Sequence, residues 1–148
     1  MGKMFDMSLD TNNCISKTFF ADVNNLHDVL AFLEEQLETH EASMKVINVM
    51  SISLEEMYAN VCMYAYEGKD VGNCTIQIKF VENDVLVSLI DDGIPFNPLA
   101  KEDPNIHASA EERGIGGLGI YMVKEYMDDC TYKRVNEQNI FTMRKALK

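Results

Sequence analysis

Four of the chain's eight glycines fall within six residues, Gly114-Ile115-Gly116-Gly117-Leu118-Gly119. Without a Cβ, such a stretch lets backbone N–H groups approach an anion closely, and the helix it opens favours negative charge at its N-terminus. Phosphate is the first ligand this suggests. A second pair, Glu56 and Asn60, stands one helical turn apart. The carboxylate can act as a general base, and the amide oxygen is a hard neutral ligand suited to Mg²⁺. The third piece is Asp91-Asp92-Gly93, closing the apolar run 85–90. A carboxylate there can accept a hydrogen bond from an adenine amine in the crevice between a sheet and its helices. Each has a plainer explanation when taken singly: a flexible turn, a solvated helix face, a strand-end turn. The glycines also satisfy a dinucleotide fingerprint, but Ala110-Glu111-Glu112-Arg113 precedes them where a buried strand is needed. There is no Gly-Lys-Ser/Thr, no His-Arg-Asp and no Asp-Phe-Gly. A P-loop and a eukaryotic-type kinase are thereby excluded.

The elements that must position these groups follow from periodicity. Residues 15–20 read as a first strand, and 24–38 as a helix carrying Leu26, Val29, Leu30, Leu33 and Leu37 at helical spacing. A second helix runs to about residue 66, ended by the turn residues of 68–72. Strands at 75–81 and 85–91 are joined by Glu82-Asn83-Asp84 as a hairpin turn. Residues 92–113 hold all three prolines and no periodicity of their own, the texture of a functional lid. A third helix at 120–127 and strands at 130–135 and 139–144 complete the chain. The order predicts an α+β two-layer sandwich, with helices on one face of a mixed, mostly antiparallel sheet. No repeat or linker divides it, so 1–148 reads as one domain.

Composition narrows the function. The 148 residues carry 24 acidic and 13 basic side chains, a net charge of −11. Direct nucleic-acid binding, which needs clustered Lys and Arg, is demoted, and basic protein partners are favoured. No window approaches the roughly 18 apolar residues of a membrane span, and residues 1–6 form neither a secretory signal nor a myristoylation site. A cytoplasmic protein is expected. Cys14, Cys62, Cys74 and Cys130 form no Cys-x-x-Cys pair, so they read as buried or half-buried thiols in a reducing compartment. His27, His40 and His107 have no metal-site context.

The three chemical signals occur in a specific order, and in that order the sequence resembles the GHKL (Bergerat-fold) ATPase superfamily, most closely its bacterial anti-sigma-factor serine/threonine kinases. Leu54-Glu55-Glu56-Met57-Tyr58-Ala59-Asn60 with Ala65-Tyr66 resembles the N box of that family. Asp91-Asp92-Gly93-Ile94-Pro95-Phe96-Asn97-Pro98-Leu99 resembles the first Gly box, and Gly116-Gly117-Leu118-Gly119-Ile120-Tyr121-Met122-Val123 with Met127-Asp128 the second. Two departures stand out: Pro95 replaces the second glycine of Asp-x-Gly-x-Gly, and Tyr64 stands where many relatives carry His.

The resemblance implies a Bergerat fold that binds ATP with Mg²⁺. It makes Glu56 the general base and Asn60 the Mg²⁺ ligand. Asp91 would bond the adenine amine, Gly93 would let the nucleotide approach, and Thr142 would be a second adenine contact. Gly117 and Gly119 would cradle the phosphates, in a nucleotide-binding stretch that also takes in Arg113, Gly114, Gly116 and Leu118. Residues 94–113 would be the ATP lid, with either Arg113 or Lys101 touching phosphate. The implied activity is phosphorylation of a small anti-anti-sigma-type protein, with a sigma factor as a further partner, in a homodimer. A nucleotide-gated binding module without transfer is the alternative.

Overall fold

The computed structural model describes residues 13–68, 70–100 and 117–148. Its elements run β1 (Cys14–Phe20), a 3₁₀ turn (Val23–Asn25), α1 (Leu26–Thr39), α2 (Met44–Asn60), a π turn (Val61–Ala65), β2 (Asn73–Val81) and β3 (Asp84–Asp91). A short 3₁₀ turn (Pro98–Ala100), α3 (Gly117–Tyr126), β4 (Asp129–Val135) and β5 (Gln138–Ala146) follow. The five strands lie in the order β1-β2-β3-β5-β4, and each pairing is antiparallel.

Local chemistry accounts for the boundaries. The Asp22 side chain accepts from Asn24 N–H at 2.8 Å, and Ser43 Oγ accepts from Val46 N–H at 3.2 Å, each satisfying a donor that a helix start leaves free. Helix α1 buries one stripe, Val29, Leu33 and Leu37. Helix α2 lies between α1 and α3 and buries more of its circumference, including Met50, Leu54, Met57, Tyr58 and Asn60. The β2–β3 hairpin turns through Glu82 and Asn83, with Glu82 at φ 55°. Asn136 and Glu137 join β4 to β5, both at positive φ, as a two-residue turn matched to strand twist requires.

Strand parity decides which side chains meet the helices. On β3, Val85, Val87, Leu89 and Asp91 face the core, and on β5 Asn139, Phe141 and Met143 do. Asp91 and Asn139 are direct cross-strand partners. They are the two polar groups in an otherwise apolar row, at the end of the sheet that the π turn covers. No helix among the described residues is long and apolar enough to cross a membrane.

Candidate functional site

Helix α2 supplies the first half of the site. Four-residue spacing puts Glu56 and Asn60 on one face, and Asn60 Nδ2 donates to the Glu56 carbonyl at 2.9 Å and to Glu56 Oε2 at 3.4 Å. Asn60 is 6% exposed. With its Nδ2 committed to Glu56, its Oδ1 receives no donor among the described residues and is the atom available to a cation. Glu56 is half-buried whereas Glu55 is exposed, so only Glu56 belongs to this site.

The first turn of α3 packs against that carboxylate. A Cβ built at Gly119 would sit 2.8 Å from Glu56 Oε1 and closer still to Oε2 and Cδ. Glycine here lets the N-terminus of α3 press onto Glu56 without displacing its carboxylate. Gly117 is the first residue of that helix, and Leu118 is exposed. Arg113, Gly114, Gly116 and Lys101 lie outside the described residues, as does residues 101–113 of the lid.

The second half is an apolar crevice. Met57, Val61, Ala65, Leu89, Phe96 and Phe141 line it, and Asn60, Asp91 and Asn139 bring polar atoms to its walls. The π turn directly after Asn60 is what carries both Val61 and Ala65 into this lining; π segments often mark functional sites. Tyr66 fixes its far end, donating to the Asn73 carbonyl at 2.5 Å and accepting from Asp92 N–H at 3.0 Å.

Asp91 is 6% exposed. Its Oδ1 accepts from Gly93 N–H and from Asn139 Nδ2, both at 2.9 Å. Burial pushes its carboxyl above the ordinary range, while the bonds from Asn139 and Gly93 and the charge of Arg134 pull back. Burial likewise raises the Cys62, Cys74 and Cys130 thiols, Cys130 to about 11, and all four cysteines are free. Cys62, Cys74 and Cys130 are packing residues rather than thiolate nucleophiles.

A Cβ at Gly93 would lie 2.6 Å from Ala65 C and closer to its oxygen, and Ile94 N–H donates to that oxygen at 2.8 Å. The close approach that Gly93 permits is therefore to the π turn. Thr142 does not reach the crevice. It lies on the opposite face of the sheet, where its Oγ1 bonds Ser88 Oγ at 2.7 Å. The lid's first residues are anchored: Pro98 is buried, and Phe96 and Leu99 pack on the core. Asn139, which the sequence did not single out, stands beside Asp91 instead. Its even spacing from Phe141 and Met143 places it on the core-facing side of β5 only once the register with β3 is set.

Known proteins resemble this chain in sequence and in fold. Residues 19–145 match the histidine kinase-like ATPase domain. The serine-protein kinase RsbW of Listeria monocytogenes serotype 4a is 28% identical over 91 residues, 59% of this chain and 58% of the relative. That of Bacillus mycoides is 32% identical over 84 residues, 54% of this chain and 52% of the relative. The chain thus spans between 52% and 58% of the length of these two curated relatives. Among solved structures, the SiaB–SiaC complex from Pseudomonas aeruginosa contains a chain that superposes with a TM-score of 0.62 at 16% identity, covering 98% of each. That likeness is one of fold. The half-buried Glu56 beside buried Asn60, the glycine helix start pressed on it and the acid-ended crevice occur within the matched span, and the chain belongs to the histidine kinase-like ATPase domain family.

Proposed function

We propose that the chain is an ATP-dependent protein serine/threonine kinase of the anti-sigma type. It phosphorylates a small anti-anti-sigma-type protein and thereby changes which partner it holds, a sigma factor being the other. On this proposal it works in the cytoplasm as a homodimer. The observation that carries the reading is the Glu56 carboxylate, half-buried between Asn60 and the start of α3 and continuous through Asn60 with an apolar, acid-ended crevice. The name of the RsbW relatives, serine-protein kinase, supports it.

The donor set suits MgATP. A purine fits an apolar slot, and Asp91 offers an acceptor suited to an exocyclic amine. Mg²⁺ held chiefly by phosphate oxygens and water needs only one or two protein oxygens, and Asn60 Oδ1 provides one. When bound, MgATP supplies the phosphoryl group and the cation that neutralises its charge. Glu56 would then take the proton of the partner's serine or threonine hydroxyl as the phosphoryl group leaves ADP for that oxygen, with Asn60 as the residue to hold the cation and the backbone at Gly117 and Gly119 as the groups to hold the phosphates.

Labelled ATP and a small partner protein encoded nearby test this. Glu56→Gln should keep ATP affinity within a small factor and slow transfer by roughly 10²–10⁴. Asn60→Ala should damage both. Full-rate transfer by Glu56→Gln moves the base elsewhere. If wild type transfers nothing while ATP still governs partner binding, the chain is a nucleotide-gated module.

A further inference from the structure

Asn139 is 5% exposed and its amide is fully used. Its Nδ2 donates to Asp91 Oδ1 at 2.9 Å and to the Ile94 carbonyl at 2.8 Å. Its Oδ1 accepts from the Tyr132 hydroxyl at 2.5 Å, from Arg134 Nη1 at 3.1 Å and, at 3.4 Å, from Phe96 N–H. Arg134 Nη1 also donates to the Gly93 carbonyl at 2.8 Å. One strand residue thus grips the carboxylate at the crevice end and the chain that leaves it, and two β4 side chains hold that residue in place.

The consequence for Asp91 is directional. Both of its hydrogen bonds fall on Oδ1, so Oδ2 has no donor among the described residues. A carboxylate free to rotate would present either oxygen, or bond its own loop; this one cannot turn without breaking two bonds. We propose that Asn139 is a positioning residue for purine selectivity. By locking Asp91, it leaves one oxygen of fixed direction to accept the 6-amino group of an adenine base. Tyr132 and Arg134 fix the amide so that its nitrogen, not its oxygen, faces Asp91. The proposal rests on Asp91 as the base acceptor in the kinase reading.

The experiment compares two nucleotides in the full chain by calorimetry: ATP and purine riboside triphosphate, which lacks the 6-amino group. A hydrogen bond to a charged group is worth roughly 10- to 150-fold in affinity, so wild type should prefer ATP by at least about tenfold. Asn139→Leu removes the amide at similar size, and its preference should fall to within about threefold. Loss of packing alone would weaken both nucleotides and leave their ratio unchanged, which would overturn the proposal. Asp91→Ala separates the two ideas. If it keeps the preference, Asp91 is not the acceptor and both fall. If it loses the preference while Asn139→Leu keeps it, the kinase-site reading stands and the positioning role is wrong. Should Asn139→Leu not fold, Tyr132→Phe loosens the amide by removing one of its three donors. Its preference should drop by about threefold, and an unchanged preference overturns the proposal.

Discussion

Replacing Gly119 by Ala should separate stability from chemistry. A methyl group there would sit 2.8 Å from Glu56 Oε1 and closer to Oε2 and Cδ. Non-bonded contacts of this kind are comfortable only at about 3.5 Å, so the carboxylate must withdraw by about 1 Å. It can do so, because Glu56 is half-buried and its side chain is flexible at the tip. The fold therefore loses little. Ala in place of Gly within a helix contributes about 0.5–1 kcal/mol, which for a chain of this size raises Tm by about 1–4 °C. The site loses more. The 3.4 Å contact from Asn60 Nδ2 to Glu56 Oε2 is already at its limit and breaks as the carboxylate leaves. A reacting group displaced by about 1 Å costs on the order of 10²-fold in rate. Thermal melts and single-turnover transfer from labelled ATP measure the two effects side by side. The expected result is an equal or higher Tm with transfer slowed about 100-fold. Because the loss runs through Glu56, adding Glu56→Gln to Gly119→Ala should slow transfer no further than Glu56→Gln alone. Wild-type transfer by Gly119→Ala, or a fully additive double variant, would refute the reasoning.

Gly93→Ala should behave in the opposite way, since the obstacle is the Ala65 backbone rather than a movable side-chain tip. Overpacking of about 1–3 kcal/mol and loss of the Ile94–Ala65 hydrogen bond, about 1 kcal/mol, should lower Tm by about 4–16 °C; an unchanged melt would count against it. Asp91→Asn should stabilise the protein at pH 7 while weakening ATP binding. Burial raises the Asp91 pKa on folding, so the native state holds its proton more tightly than the unfolded one. Stability therefore falls as pH rises from the ordinary carboxylate range through the raised value, and Asn removes that loss while still accepting from Gly93 and Asn139. Denaturant midpoints for both proteins at pH 4 and pH 7 should diverge at the higher pH; parallel curves would contradict the assignment.

The elements were legible where one periodicity dominated. Val29, Leu33 and Leu37 mark α1 in sequence and are the residues it buries. The hairpin at Glu82 and Asn83 followed from turn residues between two alternating runs. Helix α3 was expected at residue 120 and begins at Gly117, because glycine is a poor helix former in isolation. Contact with Glu56 overrides that propensity, since only a residue without Cβ admits the approach. The π turn over Val61–Ala65 had no signature separate from the helix it ends, for its apolar residues continue the helical pattern.

The site divides along the same line. Glu56 and Asn60 were legible because a helix makes neighbours of residues four apart, so one short segment fixes their geometry. The sheet's contribution was not. Residues 140–143 of β5 read Ile-Phe-Thr-Met, apolar at both parities, so alternation alone does not reveal which set faces the helices. Choosing Thr142 instead of Asn139 differs in parity, and a parity error moves a side chain to the other face. The register with β3 decides it: Asp91 pairs with Asn139, and Ser88 with Thr142. Asp91 is fixed as a core-facing residue by the run of Val85, Val87 and Leu89 behind it, and its partner must share that face. A long-range pairing was therefore needed to find Asn139, and the β4–β5 hairpin brings Tyr132 and Arg134 within its reach from the next strand. The residue that holds the Asp91 carboxylate becomes its neighbour only after β3 and β5 have paired.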